Sequence, residues 1–345
     1  MTMNSLKLTA LGLSTAAALV SLPAHAGKDL DAIKKRGELI CGASTGLAGF
    51  SAADSQGKYA GLDVDTCRAV AAAVLGDPNK ARFVPLTAQQ RFTALQSGEI
   101  DLLARNTTWT LTRDASLGLH FAGINFYDGQ GFMVPKKLNV KSAKQLKGAT
   151  VCVEAGTTTE LNLTDFSRAN NLNIKPVVFN NAEATTAAYF SGRCQAFTTD
   201  ASGLASYRSK QAANPADHVI LPELISKEPL GPMVRRGDDE FFAIVKWVGY
   251  ALLEAEELGI TQANADKMRA ESKNPSIMRL LGAGNEDTGK LLGLDKEWAL
   301  RAIKAGGNYG EKFERHVGPK TTIGLPRGIN NLWSKGGVMY APPVR

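Results

Sequence analysis

The sequence predicts an α/β protein built from two similar units, each a mostly parallel sheet flanked by helices. Its 345 residues are 44% hydrophobic and 21% charged, a balance typical of globular chains that bury a large core. Short apolar strands alternate with capped or amphipathic helices, and this alternation occurs on both sides of an extended stretch at 126–134. After about residue 265 the chain becomes helical and rich in glycine, which predicts a helical C-terminal extension.

The N-terminus has the features of a secretory signal peptide. Lys7 precedes a small and apolar run at 8–20, and residues 23–26 end in the small-x-small pattern that signal peptidase requires. The apolar run is too short for a transmembrane anchor. We therefore expect residues 1–26 to be removed and the mature chain to be periplasmic.

The first unit contains three predicted strands and two predicted helices. The strands lie at 38–41, 83–86 and 100–104, and the helices at 61–75 and 87–98. A capping box formed by Thr87 and Gln90 opens the second helix, and Gly98 ends it. Strands that alternate with helices in this way predict parallel pairing with right-handed crossovers.

The same order returns in the second unit. Strands are predicted at 149–153, 174–179 and 194–198, and helices follow caps at Ser142 and Thr157 and cover 182–191. A long amphipathic helix follows at 241–258. Further on, Asp295 is a predicted N-cap and residues 306–307 a predicted helix end.

Two extended stretches, at 126–134 and 229–235, predict that the chain crosses between the units twice. The first lobe would then be discontinuous, with residues 27–127 and 233–345, and the second lobe would contain residues 128–232. In open parallel sheets, ligands bind beyond the carboxyl ends of the strands. We therefore expect a ligand in the cleft between the lobes.

All four cysteines, Cys41, Cys67, Cys152 and Cys194, lie in the exported part of the chain. An even number in an oxidising compartment favours disulfides, and three pairings are open. Cys41–Cys67 with Cys152–Cys194 is favoured because each pair falls within one lobe, although four buried free thiols are the alternative. The spacings do not suit a zinc site.

Three polar features are predicted to follow strands at the cleft. Residues 156–160 form a loop and a helix N-terminus at which backbone donors around Thr158 suit an anion, although an ordinary capped helix explains the pattern equally simply. Asn106 and Thr108, with Arg113, suit a carboxylate, because a guanidinium grips it bidentately; a polar surface loop is the alternative.

The third feature is Asp200, which could accept hydrogen bonds from an ammonium group or could simply cap the next helix. Anion donors on two lobes and one anionic acceptor together describe a receptor for a zwitterion.

Other functional classes find little support in the sequence. The net charge is +7, but the basic residues are scattered and lack interleaved aromatic residues, so we expect no nucleic-acid partner. The isolated histidines His120, His218 and His316 suggest neither a metal site nor a catalytic triad. Residues 284–290 resemble a P-loop, but Leu291 stands where a magnesium-binding hydroxyl is needed. We expect no cofactor and no metal.

In combination, the local motifs resemble periplasmic polar-amino-acid-binding proteins of ABC transporters, family 3 solute-binding proteins, and especially their general L-amino-acid-binding branch. The motifs are 61–65 with Val70 and Ala71, 155–158, 191–196 with Asp200, 105–110, 308–310 and 340–343. The resemblance implies a two-lobed, type II periplasmic-binding-protein fold, an L-amino-acid ligand, an inner-membrane ABC permease as partner, and a monomer.

By this resemblance, Arg113 would clamp the ligand α-carboxylate with help from Thr108 and Thr158, and Asp200 would hold the α-ammonium group. Arg105 and Arg91 are the alternative cations.

The resemblance also suggests how side chains are selected. Ser44 and Phe50 are both expected to contact the ligand. Ser44, six positions before Phe50, stands where relatives specific for acidic or basic ligands carry a charge. A small neutral residue predicts broad tolerance of ligand side chains. The alternative function is an enzyme on the same scaffold, similar to cyclohexadienyl dehydratase, with Glu154 or Glu183 as its acid. A chemoreceptor would need transmembrane segments that the sequence lacks after the N-terminus.

Overall fold

The structure is a computed structural model that describes residues 27–345. The predicted signal peptide, residues 1–26, lies outside the described residues.

The strands are β1 (Leu39–Ser44), β2 (Ala52–Ala53), β3 (Tyr59–Ala60), β4 (Ala81–Leu86), β5 (Leu102–Leu103), β6 (Leu119–Phe121), β7 (Phe126–Asp128), β8 (Gln130–Pro135), β9 (Thr150–Glu154), β10 (Lys175–Phe179), β11 (Ala196–Asp200), β12 (His218–Ile220), β13 (Glu228–Leu230) and β14 (Met233–Arg235). The α-helices are α1 (Lys28–Arg36), α2 (Leu62–Leu75), α3 (Arg91–Ser97), α4 (Leu111–Ser116), α5 (Thr158–Ala169), α6 (Ala182–Phe190), α7 (Ala201–Gln211), α8 (Asp239–Glu257), α9 (Ala265–Glu271), α10 (Pro275–Leu280), α11 (Trp298–Gly306) and α12 (Tyr309–His316).

Two five-stranded sheets form the centres of two lobes. The first has the order β4-β1-β5-β14-β6 and the second β10-β9-β11-β8-β12. In each sheet four strands are parallel, and one strand, β14 or β8, runs antiparallel to its neighbours. The predicted α/β class, with two mostly parallel sheets and a helical C-terminal part, is confirmed.

The chain passes between the sheets along β7 and β13, which pair antiparallel with each other. The antiparallel strand of each sheet, β8 or β14, is the first strand of that sheet after a crossing. A strand that arrives from the other lobe enters from the opposite end of the sheet, so its direction is reversed. The other strands of each sheet are joined by strand–helix–strand connections, as expected for parallel neighbours.

Each lobe contains one disulfide. Cys41 on β1 is bonded to Cys67 on α2, and Cys152 on β9 is bonded to Cys194 just before β11. The structure therefore has the pairing that the sequence analysis favoured. Both bonds tie a strand of the sheet to a neighbouring element of the same lobe.

The C-terminal extension packs on the first lobe and on the crossing strands. Arg301 on α11 donates to the Ala72 and Ala73 carbonyls near the end of α2, both at 3.0 Å. Further on, the Asn330 side chain accepts from Tyr127 N at 2.7 Å and donates to Tyr127 O at 2.9 Å. Tyr127 lies opposite Pro229 on β13, whose carbonyl accepts from Trp109 N and not from Tyr127. The Asn330 amide thus satisfies the backbone groups of Tyr127.

Local details differ from the sequence-based expectations at several places: the helix predicted over 87–98 begins at Arg91, and the strand predicted over 194–198 is β11, Ala196–Asp200. The predicted strand over 100–104 is reduced to Leu102–Leu103, because the Asp101 carboxylate accepts the Ile40 N–H at 2.8 Å. The predicted N-cap at Asp295 is wrong: α11 begins at Trp298, and Asp295 accepts from Glu297 N at 2.9 Å, one turn earlier. Among the described residues, no helix has the length and apolarity needed to cross a bilayer.

Candidate functional site

A narrow cavity of about 30 Å³ lies between the lobes, at the carboxyl ends of the central strands. Ser44, Glu154 and Asp200, which end β1, β9 and β11, all line it. The other lining residues are Leu47, Arg91, Arg105, Asn106, Thr108, Thr157, Thr158, Thr159, Thr199, Gly203 and Tyr207. Residues from both lobes therefore meet at the place where doubly wound sheets hold their ligands.

The loop after β5 brings Asn106 and Thr108 to the cavity. Asn106 has a positive φ of 34°, a conformation that asparagine tolerates better than most residues, and its N–H donates to the Asp63 carboxylate at 2.8 Å. Trp109 N donates to Pro229 O at 2.8 Å, which ties the loop to the crossing strand β13. The buried Asn106 Oδ1 has no hydrogen-bond partner among the described residues, so the loop presents a free acceptor.

The N-terminus of α5 reaches the cavity from the second lobe. Thr157 caps the helix by accepting from Glu160 N at 3.2 Å, as predicted. The Glu160 carboxylate accepts from Gly156 N at 3.0 Å, not from Thr157 N as in a standard capping box. Thr158, the first residue of the helix, lies with its Oγ1 3.4 Å from Thr108 Oγ1 across the cleft.

Arg113 lies behind the cavity lining. Its side chain is buried, with 9% exposed, and Nη1 donates to the Thr108 carbonyl at 3.0 Å. The guanidinium also lies over the Phe92 ring, 5.2 Å from its centroid. Burial lowers the pKa of Arg113 to about 10, although the carboxylates of Glu228 and Asp200 favour its charged form.

The two alternative cations, Arg105 and Arg91, do line the cavity. Arg105 donates to the Leu86 carbonyl at 3.0 Å and forms an ion pair with Glu154 of the second lobe at 3.6 Å. Arg91 is 3% exposed, and its Nε has no partner among the described residues. Burial, with the charges of Arg113 and Arg105, lowers the pKa of Arg91 well below its usual value. Three guanidinium groups therefore concentrate positive charge on the first-lobe side.

Asp200 faces these cations from the second lobe. It occupies the N-cap position of α7, but its side chain makes no capping bond. The neighbouring Asp128 performs that role instead, since it accepts from Ser202 N at 3.3 Å. Burial, followed by repulsion from Asp128 and Glu228, raises the pKa of Asp200 well above its ordinary value. The Asp200 carboxyl is thus available to a ligand.

Glu228 on β13 is a site residue that the sequence analysis missed. It is 1% exposed, and Oε2 accepts from Thr108 Oγ1 at 2.6 Å and from Thr158 Oγ1 at 2.8 Å. Oε1 accepts from Ser226 Oγ at 2.6 Å and Asn162 Nδ2 at 2.9 Å. The signal that could have found it was an acidic residue at the edge of a predicted crossing stretch.

The remaining predicted residues divide into two groups. Ser44 lines the cavity and is buried, with its N–H donated to Ser51 Oγ at 2.8 Å. Phe50 does not line it, because its ring packs in the core against Phe126, with the centroids 5.2 Å apart. Glu183 is exposed on α6, away from the cavity. Within residues 27–345, no group of three or more His, Cys, Asp or Glu side chains could hold a metal ion.

Comparison with known proteins shows which family the chain matches. Residues 39–267 match the bacterial extracellular solute-binding proteins, family 3. The chain is 54% identical over 340 residues to the general L-amino acid-binding periplasmic protein AapJ of Rhizobium johnstonii, covering 98% of this chain and 99% of that protein. It is also 55% identical over 332 residues to the glutamate/glutamine/aspartate/asparagine-binding protein BztA of Rhodobacter capsulatus, covering 96% and 98% of the two chains.

A solved structure is similar over nearly the same length. An ABC transporter periplasmic binding protein from Brucella ovis with glutathione bound has a TM-score of 0.90 and 56% identity, covering 92% of this chain and 99% of that chain. The family match ends at residue 267, whereas these three relatives match nearly the whole chain. The C-terminal extension is therefore shared with the long relatives.

Proposed function

The chain belongs to the bacterial extracellular solute-binding proteins of family 3, and we propose that it binds free L-amino acids between its lobes and delivers them to an ABC transporter permease. The working compartment would be the periplasm, reached through a signal peptide cleaved after Ala26. The names of the relatives AapJ and BztA support this ligand class and this compartment. No cofactor, metal or nucleic acid takes part, and the protein acts as a monomer.

One observation carries the proposal: the cavity lies between guanidinium groups on one lobe and the Asp200 carboxyl group, which makes no capping bond, on the other. Arg113, which lies behind the lining, would turn to bind the ligand α-carboxylate, with Arg105 and Arg91 at the cavity wall adding positive charge. Asp200 would take the α-ammonium group, because its carboxyl makes no capping bond. Both lobes would then bind the zwitterion. Its charged groups would form hydrogen bonds with the site residues in place of the water that closure removes.

The lobes we propose are residues 27–127 with 233–345, and residues 128–232. The paired crossing strands β7 and β13 would act as the hinge. A ligand that touches both lobes stabilises the closed form by its differential affinity for that form. The closed protein would then dock on the permease, so transport selectivity begins at this cavity.

Broad tolerance of ligand side chains is part of the proposal. Ser44 at the cavity wall is small and neutral, so it pairs with no side-chain charge. The Brucella ovis relative was solved with glutathione, which presents a free α-amino and α-carboxylate group on its glutamyl end. The same zwitterion-binding groups would therefore accept an amino acid or the glutamyl end of such a peptide.

The enzyme alternative has little support at the residues considered for it. Glu154 is engaged with Arg105 at 3.6 Å, and Glu183 is exposed on the outer side of its helix. A general acid would have to lie free in the cavity and face the reacting bond. We therefore propose a binding protein and not an enzyme.

The test is a thermal-shift screen of the purified mature chain with the twenty amino acids and glutathione, followed by calorimetry. Several amino acids of different side-chain class should raise the melting temperature, because a ligand that binds only the folded state stabilises it by mass action. The D-enantiomers serve as the matched control. Stabilisation by only one charge class would overturn broad tolerance, and stabilisation by none would overturn the proposed function.

A further inference from the structure

The carboxylate of Glu228 connects the two lobes directly at the cavity. One oxygen, Oε2, accepts from Thr108 on the first lobe at 2.6 Å and from Thr158 on the second at 2.8 Å. Glu228 itself does not line the cavity, whereas both threonines do. It therefore acts on the cavity from behind, through the two hydroxyl groups.

The hydrogen bonds of Glu228 fix where the threonine protons go. Asn162 Nδ2 can only donate, and it occupies Oε1 together with the Ser226 hydroxyl. With two donors on each oxygen, the four acceptor positions of the carboxylate are filled. In this arrangement both threonine hydroxyls donate to Glu228.

A threonine hydroxyl has one proton and two lone pairs. If the protons of Thr108 and Thr158 point to Glu228, the two oxygens can offer only lone pairs to a ligand. The separation between the hydroxyl oxygens is 3.4 Å, longer than either bond to Glu228, so the protons are better used on the carboxylate. The hydroxyl groups of Thr108 and Thr158 thus act as acceptors at the cavity that Asp200 also lines, which suits the ligand ammonium group and not the α-carboxylate that the resemblance assigned to them.

We propose that Glu228 is a positioning residue that holds the protons of the Thr108 and Thr158 hydroxyl groups, so that these groups can only accept hydrogen bonds from a ligand. The site would thereby select an ammonium group over a hydroxyl group on the ligand α-carbon. This inference rests on the proposed amino-acid-binding function. An ammonium group supplies three donors, whereas a hydroxyl group supplies one donor and also needs a donor for its own oxygen. The hydroxyl protons that could satisfy such a ligand are held by Glu228.

The experiment compares L-glutamate with L-2-hydroxyglutarate by calorimetry in the wild-type protein and in Glu228→Gln. The glutamine amide keeps the size of the side chain but donates as well as accepts, so one threonine proton is released to the cavity. The preference for L-glutamate should fall roughly tenfold, since L-glutamate loses an acceptor and L-2-hydroxyglutarate gains a donor. If Glu228 had only a structural role, the substitution would weaken the binding of both ligands equally and leave the ratio of their affinities unchanged. That result would overturn the inference.

Two further variants keep the test decisive. Ser226→Ala removes a donor from the other carboxylate oxygen and leaves both threonine bonds, so it should keep the wild-type ratio. Thr158→Val retains Glu228 but removes one acceptor, so it should weaken the binding of L-glutamate more than the binding of L-2-hydroxyglutarate. Equal weakening of both ligands would contradict the inference even if Glu228→Gln did not fold. Absence of L-glutamate binding to the wild-type chain, alongside absence of any other amino acid, would instead count against the proposed function.

Discussion

The two walls of the cavity carry opposite charges. On the first-lobe side Arg91 and Arg105 line the cavity and Arg113 is buried behind them, and the second lobe contributes the carboxyl groups of Glu154 and Asp200. Only one cross-lobe ion pair, Arg105–Glu154, joins these walls in residues 27–345. Neither wall alone is therefore complementary to a zwitterion, and a site with both charges forms only when the lobes meet.

The difference between the walls does not come from the backbone. Both sheets have the same strand order, with four parallel strands and one antiparallel strand that follows a crossing. Equivalent strands nevertheless end differently, since β1 ends at Ser44 and β9 ends at Glu154. Chemical character is therefore assigned to each wall by the residues at and just after the carboxyl ends of the strands. Charge changes on either wall are the way to test this comparison.

The largest effect is expected from Asp200→Asn, which removes the free negative charge from the second wall. Affinity for L-leucine should fall by about 4 kcal/mol, roughly a thousandfold, because a buried ammonium group would lose its charged partner. Calorimetry measures this loss, and the melting temperature without ligand should not decrease. Glu183→Gln, an exposed charge on the same lobe, is the matched control and should bind normally. Retention of wild-type affinity by Asp200→Asn would remove Asp200 from the site.

The second prediction concerns pH and again depends on the second wall. The raised pKa of Asp200 means that the free, closed protein keeps a proton there at pH values where an ordinary aspartate has lost it. An ammonium ligand favours the ionised form, so binding releases a proton, and affinity falls as the pH decreases through the raised pKa, by up to about tenfold per pH unit.

L-leucine is a suitable ligand for this measurement, since its side chain does not titrate. Calorimetry in phosphate and in Tris, which differ in ionisation enthalpy, should give different apparent binding enthalpies on the acid side. Identical enthalpies in both buffers, with an affinity that does not fall as the pH decreases, would contradict proton release by Asp200.

The smallest effect is expected from the pair that joins the two walls. Glu154→Gln should weaken L-leucine binding by about 1 kcal/mol, roughly fivefold, because the pair with Arg105 forms only when the lobes are closed. Arg105→Gln and the double variant complete a mutant cycle that isolates the interaction. Scattering measurements should show a larger radius of gyration for the ligand-free single variants. Additive effects in the cycle would mean that the two residues act independently.

Much of the fold follows from local sequence patterns. Helix α2 begins at Leu62 directly after Gly61 and ends at Gly76, whose left-handed conformation (φ 75°) suits glycine. The Thr157 cap of α5 was predictable for the same reason, since N-caps depend on residues only three positions apart. The positions of Asn106, Thr108, Thr158 and Asp200 at the cavity followed from their places at strand ends.

The rest depends on contacts between residues far apart in the chain. Glu228 is 120 residues from Thr108, and its short strand gives no local sign that a carboxylate will be buried there. Arg91 begins a helix as many surface arginines do, yet it is buried at the cavity because the second lobe closes over it. Phe50 was expected at the ligand, but its burial against Phe126 depends on the position of the crossing strand. Such outcomes are decided by the assembly of the lobes.

The amide bridge from Asn330 to Tyr127 has a consequence for biogenesis. The ribosome produces β7 long before its hydrogen-bond partner, since Asn330 is made 203 residues later. Until then, water must satisfy the backbone groups of Tyr127. A chain truncated before residue 330 would therefore leave this part of the proposed hinge without its amide partner.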